Sequence, residues 1–160
     1  MIKNTSEPLL DEVDTAILNA LQADGRLTNL DLSRLIHLSP PATSVRLRRL
    51  EKEGYISRYT AVLDREKAGY DLLCFIHIGL QMHQFEQVEH FRALIQQMPE
   101  VLECHHITGE YDYLLKVALR NRKELERFAV DRLTPIPGVA RIHTSLVFTE
   151  IKSTTILQLK

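Results

Sequence analysis

The chain has no tryptophan, only two cysteines and no apolar run long enough to cross a bilayer. Its apolar runs, such as residues 72–76, are far shorter than the ~20 residues that a transmembrane helix needs. Cys74 and Cys104 form no C-x-x-C pair, which favours reduced thiols in a cytoplasm over a disulfide framework. The first fifteen residues hold a single lysine and no apolar core, unlike a signal peptide. We therefore expect a cytoplasmic protein with no membrane partner.

Motifs of enzyme chemistry are missing as well. The sequence has no glycine-rich phosphate loop, no G-x-S-x-G nucleophile elbow and no metalloprotease histidine spacing. Hydrophobic residues make up 44% and charged residues 26% of the chain, which is typical of folded soluble proteins rather than disordered ones. We expect a globular protein that is not an enzyme, with room for one ordinary domain or two small ones.

The net charge is −1, but the cations are unevenly distributed. Residues 44–60 contain only two acidic side chains, Glu51 and Glu53. The basic side chains of the same stretch are Arg46, Arg48, Arg49, Lys52 and Arg58. Such a run occurs on solvated helix faces and also on helices that lie against phosphates. Charge alone leaves both interpretations open.

Capping residues and hydrophobic spacing predict two helices before residue 37. Asp11, with Asp14 three residues later, is typical of an N-cap and starts a helix that ends near Gly25. Thr28 and Asp31 repeat this pattern and start a second helix. The residues that the second helix is expected to bury are Leu32, Leu35 and Ile36.

A third helix is predicted from Ser39 to Gly54, with Pro40 in its first turn, where the missing N–H costs nothing. Only His37 and Leu38 remain for the turn before it. Two short helices joined this tightly are typical of a helix-turn-helix. His37 stands where such turns often use glycine in the left-handed backbone conformation, which histidine tolerates less well.

The third helix has two chemically different sides at about 100° per residue. The apolar side comprises Thr43, Leu47 and Leu50. The outer side has small residues near its N-terminus and long cations toward its C-terminus, namely Pro41, Ala42, Val45, Arg49 and Lys52, with Arg48 at the edge. This gradient suits a helix in the DNA major groove, because small residues allow close approach to base edges while cations reach phosphates.

The predicted DNA contacts follow from that gradient. The residues expected nearest the bases are Pro41, Ala42, Val45 and Arg49. The residues expected mainly at phosphates are Arg46, Arg48, Lys52 and Arg58, and the same surface includes Ser39 and Ser44. Arg46 lies between the two sides of the helix and could serve packing or a phosphate. The alternative is a plain three-helix bundle with an exposed charged helix.

After residue 54 the hydrophobic period changes. Residues 55–64 are β-like, and residues 65–71 form a polar linker. The elements predicted next are a strand at 72–81, a helix at 85–98, strands at 100–108 and 113–119, a helix at 122–133 and a strand at 139–151. The order βαββαβ is that of a ferredoxin-like unit. The buried helix positions are expected to be Phe85, Val88, Phe91, Ile95 and Met98, then Leu125, Phe128 and Ala129.

The sequence therefore predicts an α+β protein in three parts. These are a helix-turn-helix domain at 1–60, a linker at 61–71 and a ferredoxin-like domain at 72–160. Strands 72–81 and 113–119 carry apolar residues on both sides, so the sheet face without helices is not cleanly polar. A second copy packed face to face would cover it and would present two recognition helices to two DNA half-sites.

The triplet Cys104–His106 raises the question of a metal site. In a strand, Cys104 and His106 point to one face and His105 to the other, so the triplet cannot bind one tetrahedral ion. Cys74 and Cys104 could approach each other across adjacent strands, which leaves a cysteine- or metal-responsive switch as an alternative to core packing. We expect no metal and no cofactor.

Three features together carry a family resemblance. They are "LDEVDTAILNALQADGRLTNLDLSRLIHLSPPATSVRLRRLEKEGYISRYTAVLD", the βαββαβ unit with "TGEYDYLL", and the final "EIKSTT". From about Leu10 to Lys152 the chain resembles the Lrp/AsnC family, the leucine- and asparagine-responsive or feast/famine regulators. The resemblance implies a bacterial or archaeal transcription factor whose C-terminal domain binds an effector and oligomerises. Its partners would be promoter or operator DNA, an amino acid, and further copies in dimers and usually octamers.

The resemblance also implies an effector site between dimers. It would lie near the loop at Gly109 to Asp112 and the facing part of the last strand, with the residues Gly109, Glu110, Tyr111, Asp112, Thr144 and Ser145. Gly109 suits a tight turn that exposes N–H groups to a carboxylate, and Asp112 could accept a hydrogen bond from an ammonium group. The alternatives are a β-turn with a capping aspartate, a ligand-independent DNA-organising regulator, and an amino-acid sensor whose helices bind protein.

Overall fold

The structure, a computed structural model, describes residues 10–81 and 85–159, and it divides into two compact units. The first comprises the chain up to Val62 together with the stretch from Lys152 onward, and the second comprises Leu63–Ile151. The end of the chain thus packs with the helical unit. The domain boundaries drawn from the sequence stay a prediction.

Three helices form the first unit. They are α1 (Glu12–Ala23), α2 (Asn29–Leu35) and α3 (Pro40–Lys52). Each begins at the N-cap predicted from the sequence, where the side chain of Asp11, Thr28 or Ser39 accepts a backbone N–H bond. His37 has a φ of 55°, the left-handed conformation expected for the turn residue. These caps and this turn fix where each helix starts.

The buried core of the first unit is small. Its fully buried apolar side chains are Ile17, Leu18, Leu32 and Leu50. Thr43 and Leu50 of α3 are both 0% exposed, which confirms the predicted apolar side of that helix. The predicted burial of Leu35 is wrong, because this residue is 58% exposed and α2 instead buries Leu32 and Ser33.

The second unit has the predicted βαββαβ order. Its elements are β1 (Leu72–Leu80), α4 (Phe85–Gln96), β2 (Val101–His106), β3 (Tyr113–Leu119), α5 (Arg122–Arg127) and β4 (Val139–Leu146). The strands form one antiparallel sheet in the order β2-β3-β1-β4. The last strand ends earlier than predicted, and residues 55–64 contain no strand. None of the described helices has the length and apolar character needed to span a bilayer.

Both helices cover the same face of this sheet. The strand residues on that face are Cys74, Ile76, Ile78, Leu80, Tyr113, Leu115, Val117 and Leu119, and they pack with Phe91, Ile95 and Phe128 from the helices. Phe85, predicted to be buried, is 77% exposed because it stands at the very start of α4.

After α5 the helix widens into a π-helical turn. There the N–H and the hydroxyl of Thr134 both donate to the Ala129 carbonyl, at 3.0 and 2.8 Å.

The two cysteines do not lie on adjacent strands. Cys74 is in β1 and Cys104 in β2, and β3 runs between them. Two strand spacings amount to about 9–10 Å, which exceeds the ~7 Å between Cα atoms that a disulfide tolerates. No three histidine, cysteine or acidic side chains are grouped for a metal ion within residues 10–81 and 85–159. The alternative in which the two thiols approach each other is therefore wrong, and a thiol-pair switch has no geometric support. The expected core packing is found for Cys74 but is wrong for Cys104, which is exposed.

We predict that the two thiols differ sharply in reactivity. Cys74 is fully buried whereas Cys104 is exposed, and because desolvation raises the pKa of both thiols, access of the reagent distinguishes them. An aromatic disulfide reagent should modify one thiol per chain rapidly and the second only after denaturation. Cys104→Ser should remove the rapid phase and Cys74→Ser should leave it. Two rapid thiols in the native wild-type protein would contradict this assignment.

Candidate nucleic-acid interface and ligand site

The outer side of α3 is exposed along its whole length. The exposed residues are Ser39, Pro41, Ala42, Val45, Arg48 and Lys52, with Val45 68% exposed, while Ser44 is half-buried. The helix start is held by Asn29, whose Nδ2 donates to the Pro40 carbonyl at 2.8 Å. Within α3 itself, Thr43 Oγ1 donates to the Ser39 carbonyl at 3.1 Å. The structure thus presents small residues near the N-terminus of a well-anchored helix.

A buried carboxylate joins α3 to α1. Asp14 is 1% exposed, and its Oδ1 accepts a hydrogen bond from Arg46 Nη1 at 2.9 Å. Its Oδ2 accepts from Arg49 Nη2 and, at 3.3 Å, from the backbone N–H of Asp11. Arg46 Nη1 also reaches Asp11 Oδ2 at 2.6 Å. We call Asp14, Arg46, Arg49 and Asp11 the aspartate clamp.

The clamp has clear electrostatic signatures. The backbone N–H of Asp14, followed by Arg46, holds the pKa of the Asp11 carboxyl below its ordinary value of 3.8. The hydrogen bonds that Arg46 donates to Asp11 and Asp14 raise the pKa of its guanidinium. Because the Asp11 pKa is lowered on folding, its contribution is present above pH 3.8 and is lost as the pH falls through the folded value.

The clamp changes the position expected for one predicted DNA contact. The helical wheel placed Arg49 on the outer side, but its guanidinium turns toward α1 and is half-buried. Arg46, which the wheel left between the two sides, also pairs with α1. Arg48, Lys52 and Arg58 form no ion pair with any described residue. From the sequence, only a capping role was expected for Asp14. A helical wheel of α3 alone contains no information about which residues of α1 its arginines will meet.

The predicted effector loop forms a tight turn with a structural acid. Gly109 has a φ of 120°, a region that favours glycine. The N–H of Asp112 bonds the Ile78 carbonyl at 2.9 Å, and its Oδ2 accepts from the Leu80 N–H at 2.7 Å. Asp112 therefore holds the end of β1, which is the capping role that the sequence analysis kept as an alternative.

The two hydroxyls predicted for the site point to opposite faces of the sheet. Thr144 pairs with Ile76, whose side chain lies on the helix-covered face, whereas Ser145 pairs with Phe75 on the other face. Tyr111 lies on the side of Ser145, where its ring centroid is 5.3 Å from that of His77. Thr144 is thus separated from the other predicted residues by the sheet itself.

Arg141 is a component that the sequence analysis missed. Its Cζ lies 5.0 Å from the Tyr111 ring centroid, and its guanidinium donates to the Glu110 carbonyl at 2.6 Å and to the Glu110 carboxylate at 3.1 Å. Gly79 faces it across the strands, and a Cβ there would stand 3.1 Å from Arg141 Nε. The alternation "RIHTS" in β4 puts Arg141, His143 and Ser145 on one face, a signal that was available in the sequence. We call Glu110, Tyr111, Arg141, His77 and His143 the loop cluster.

Two surface cavities lie elsewhere in the second unit. One, of about 490 Å³, is bounded by α5, the end of β3 and Tyr70, and the other, of about 430 Å³, lies between α4 and β2. None of the predicted effector residues lines either cavity. The loop cluster lines neither of these two cavities, and Glu110, Arg141 and His143 are exposed.

Comparison with known proteins settles the family. Residues 10–57 match a model described as a winged helix-turn-helix DNA-binding domain, and residues 73–157 match the Lrp/AsnC ligand binding domain. The chain belongs to the Lrp/AsnC family of transcriptional regulators. It is 38% identical to the leucine-responsive regulatory protein of Salmonella typhimurium over 151 residues, which cover 94% of this chain and 92% of that protein.

Solved structures of Lrp/AsnC regulators share the whole fold. A transcriptional regulator from Neisseria meningitidis, crystallised as a complex with L-Met, matches with a TM-score of 0.89 and 38% identity, covering 93% of this chain and 96% of that one. AsnC of E. coli matches with a TM-score of 0.85 and 26% identity, covering 93% and 99%. The α+β fold, the DNA-binding regulatory function and the absence of enzyme activity expected from the sequence are thereby confirmed.

We predict that Asp14→Asn destabilises the helix-turn-helix by about 2 kcal/mol, because a neutral amide cannot compensate two arginines at a buried position. Asp31→Asn is the matched control, since Asp31 has the same capping-box role in α2 but is more exposed and has only a 4.0 Å contact with Arg34. Denaturant unfolding followed by helical circular dichroism measures both variants. Equal losses of unfolding free energy in the two variants would mean that the ion pairs of the clamp contribute no stability beyond that of the capping box.

Proposed function

We propose that this regulator reads DNA with the outer side of α3. Pro41, Ala42 and Val45 would lie nearest the base edges, where small apolar groups suit close approach and contact with thymine methyl groups. The observation that carries this proposal is the exposed gradient on α3, from small residues at its start to the exposed cations Arg48 and Lys52 toward its end.

The cations of this region divide into two roles. Arg48, Lys52 and Arg58 would bind phosphates, and Ser39 and Ser44 would flank the groove. Arg46 and Arg49 would instead fix the orientation of α3, because Asp14 already holds both guanidinium groups. This division narrows the set of direct contacts drawn from the sequence.

We expect Arg48→Ala to weaken binding to all DNA sequences alike and to lower the salt slope of log K by about one unit, as the loss of one phosphate contact requires. Lys123→Ala, an exposed cation of α5 in the second unit, is the matched control and should leave the slope unchanged. Fluorescence anisotropy over a range of salt concentrations measures both. An unchanged slope for Arg48→Ala would remove this residue from the interface.

The regulatory ligand is proposed to be an amino acid bound at the loop cluster. One relative is named for its response to leucine and another was crystallised with L-Met. Arg141 is suited to a carboxylate, the Glu110 carboxylate and the Ser145 hydroxyl are suited to an ammonium group, and Gly109 allows close backbone approach. Asp112 and Thr144 leave the proposed set of direct contacts, since one caps β1 and the other faces the helices.

Self-assembly would complete this site. The sheet face opposite the helices carries half-buried Phe75, His77 and Leu114, and a second copy would cover it. A two-fold dimer would present two α3 helices to two half-sites, and further assembly toward octamers would enclose the loop cluster. An amino acid that shifts this assembly would change how many helices engage DNA together.

We expect calorimetry with L-leucine, L-methionine and the other common amino acids to give heat of binding for at least one. Tyr111→Ala should abolish that heat, because the ring supports Arg141. Tyr70→Ala removes an aromatic ring of the same unit outside the cluster and should leave binding intact. No heat with any amino acid, combined with sequence-specific DNA binding, would favour the ligand-independent organiser.

A further inference from the structure

The last residues of the chain are seated on α1. The Nε2 of Gln22 donates to the Leu157 carbonyl at 3.0 Å, and its Oε1 accepts from the Leu157 N–H at 2.7 Å. The side-chain amide of Gln22 therefore pairs with both backbone groups of one residue, as a neighbouring β-strand would. This two-point contact recognises an extended backbone and does not depend on the side chain at position 157.

One side chain of the same segment enters the helical core. Leu159 is half-buried and packs against the cluster around Ile17, Leu18 and Leu50. Every other apolar member of that cluster comes from residues 10–56. A helical unit of roughly 50 residues buries little apolar surface, so one additional leucine matters to it. The C-terminal segment is therefore part of the structure of the DNA-binding unit.

The contact between this segment and α1 is largely exposed to solvent. Ile156 is 55% exposed and Leu157 is 69% exposed, so the contact consists mainly of the Gln22 pair and Leu159. Such a contact can open without unfolding α1. Before this segment, the Val147 N–H bonds the Leu73 carbonyl at 2.9 Å and continues the pairing of β4 with β1. The chain from residue 147 to residue 157 is thus bonded to β1 at its start and to α1 at its end.

We propose that residues 152–159 form a reversible strap, a second connection between the DNA-binding unit and the ligand-binding unit that strengthens binding to paired half-sites. While the strap is seated, the helix-turn-helix is joined to the sheet by two chain segments instead of residues 63–71 alone. With two connections, each helix-turn-helix of a dimer can adopt fewer orientations. Once the first recognition helix has bound its half-site, the second therefore has a higher effective concentration at the other half-site. This inference rests on the proposed DNA-binding function.

The contact of Leu157 and Leu159 with α1, which we call the seat, is tested in the full-length protein by hydrogen–deuterium exchange of the C-terminal peptide. Wild type should show slowed exchange at Leu157, and Gln22→Ala should accelerate it about tenfold by removing its acceptor. Asn19→Ala is the matched control, because it removes the 3.4 Å contact of Gln22 within α1 and keeps both bonds to Leu157. An unprotected Leu157 in wild type, or equal protection in Gln22→Ala, overturns the strap.

The role in DNA binding is tested with a genomic fragment selected by the wild-type protein and with the same fragment cut to one half-site. Gln22→Ala should bind the two-half-site fragment about fivefold more weakly and the single half-site equally well, because it leaves Leu159 in place. Unchanged affinity for both fragments despite lost protection overturns the strap alone. A wild-type protein that selects no fragment overturns the proposed function, while the exchange result still decides the seat.

In this proposal, the segment that contacts α1 belongs to the same chain as that helix. With Cys104→Ser as background, Asn19→Cys, which lies one turn before Gln22 on α1, and Leu157→Cys can be joined by a short bismaleimide while Gln22 keeps its two bonds to the backbone of residue 157. A product that migrates as a monomer in denaturing gels supports the strap within one chain. A dimeric product means that a second copy supplies the segment, which overturns the assignment.

Discussion

The buried carboxylate of Asp14 is the constraint on which the DNA-binding unit depends. An ionised group that is 1% exposed is stable only if it is paired, and Arg46 and Arg49 of α3 supply that pairing. Hydrophobic packing alone is non-directional, and the core of this unit is too small to fix a helix orientation sharply. Two directed ion pairs between α1 and α3 determine which side of α3 faces outward.

The same constraint separates the arginines by function. Charge counting treats all five cations of residues 44–60 as equivalent, but the clamp engages two of them within the protein and leaves three exposed. A surface with fewer phosphate contacts binds non-specific DNA more weakly at physiological salt. Discrimination between sequences would then depend more on the small residues at the start of α3. If α3 reads DNA as proposed, the clamp would therefore favour specificity over affinity.

Sequence patterns predicted the features that are encoded locally. The three N-caps, the left-handed His37 and the βαββαβ order each depend on residues close together in the chain, and each was found. The misplaced residues depend on tertiary partners. Arg49 turned toward α1 because Asp14 is there, and Cys74 and Cys104 are separated because β3 inserts between β1 and β2. Thr144 was assigned to the ligand site by resemblance, although strand alternation places it with the helices, opposite Ser145.

In the ligand-binding unit, the proposed regulatory site lies at the edge of the sheet face that has no helices. Arg141, Tyr111 and Glu110 interact with one another in the single chain, so a ligand carboxylate would compete with Glu110 for the guanidinium. A ligand that releases Glu110 would leave an uncompensated acid at the edge of the face that a second copy would cover. Such a charge favours some packing arrangements over others, because a desolvated carboxylate must find a new partner. Ligand binding at Arg141 could in this way change the relative stability of different assemblies without any movement of the sheet.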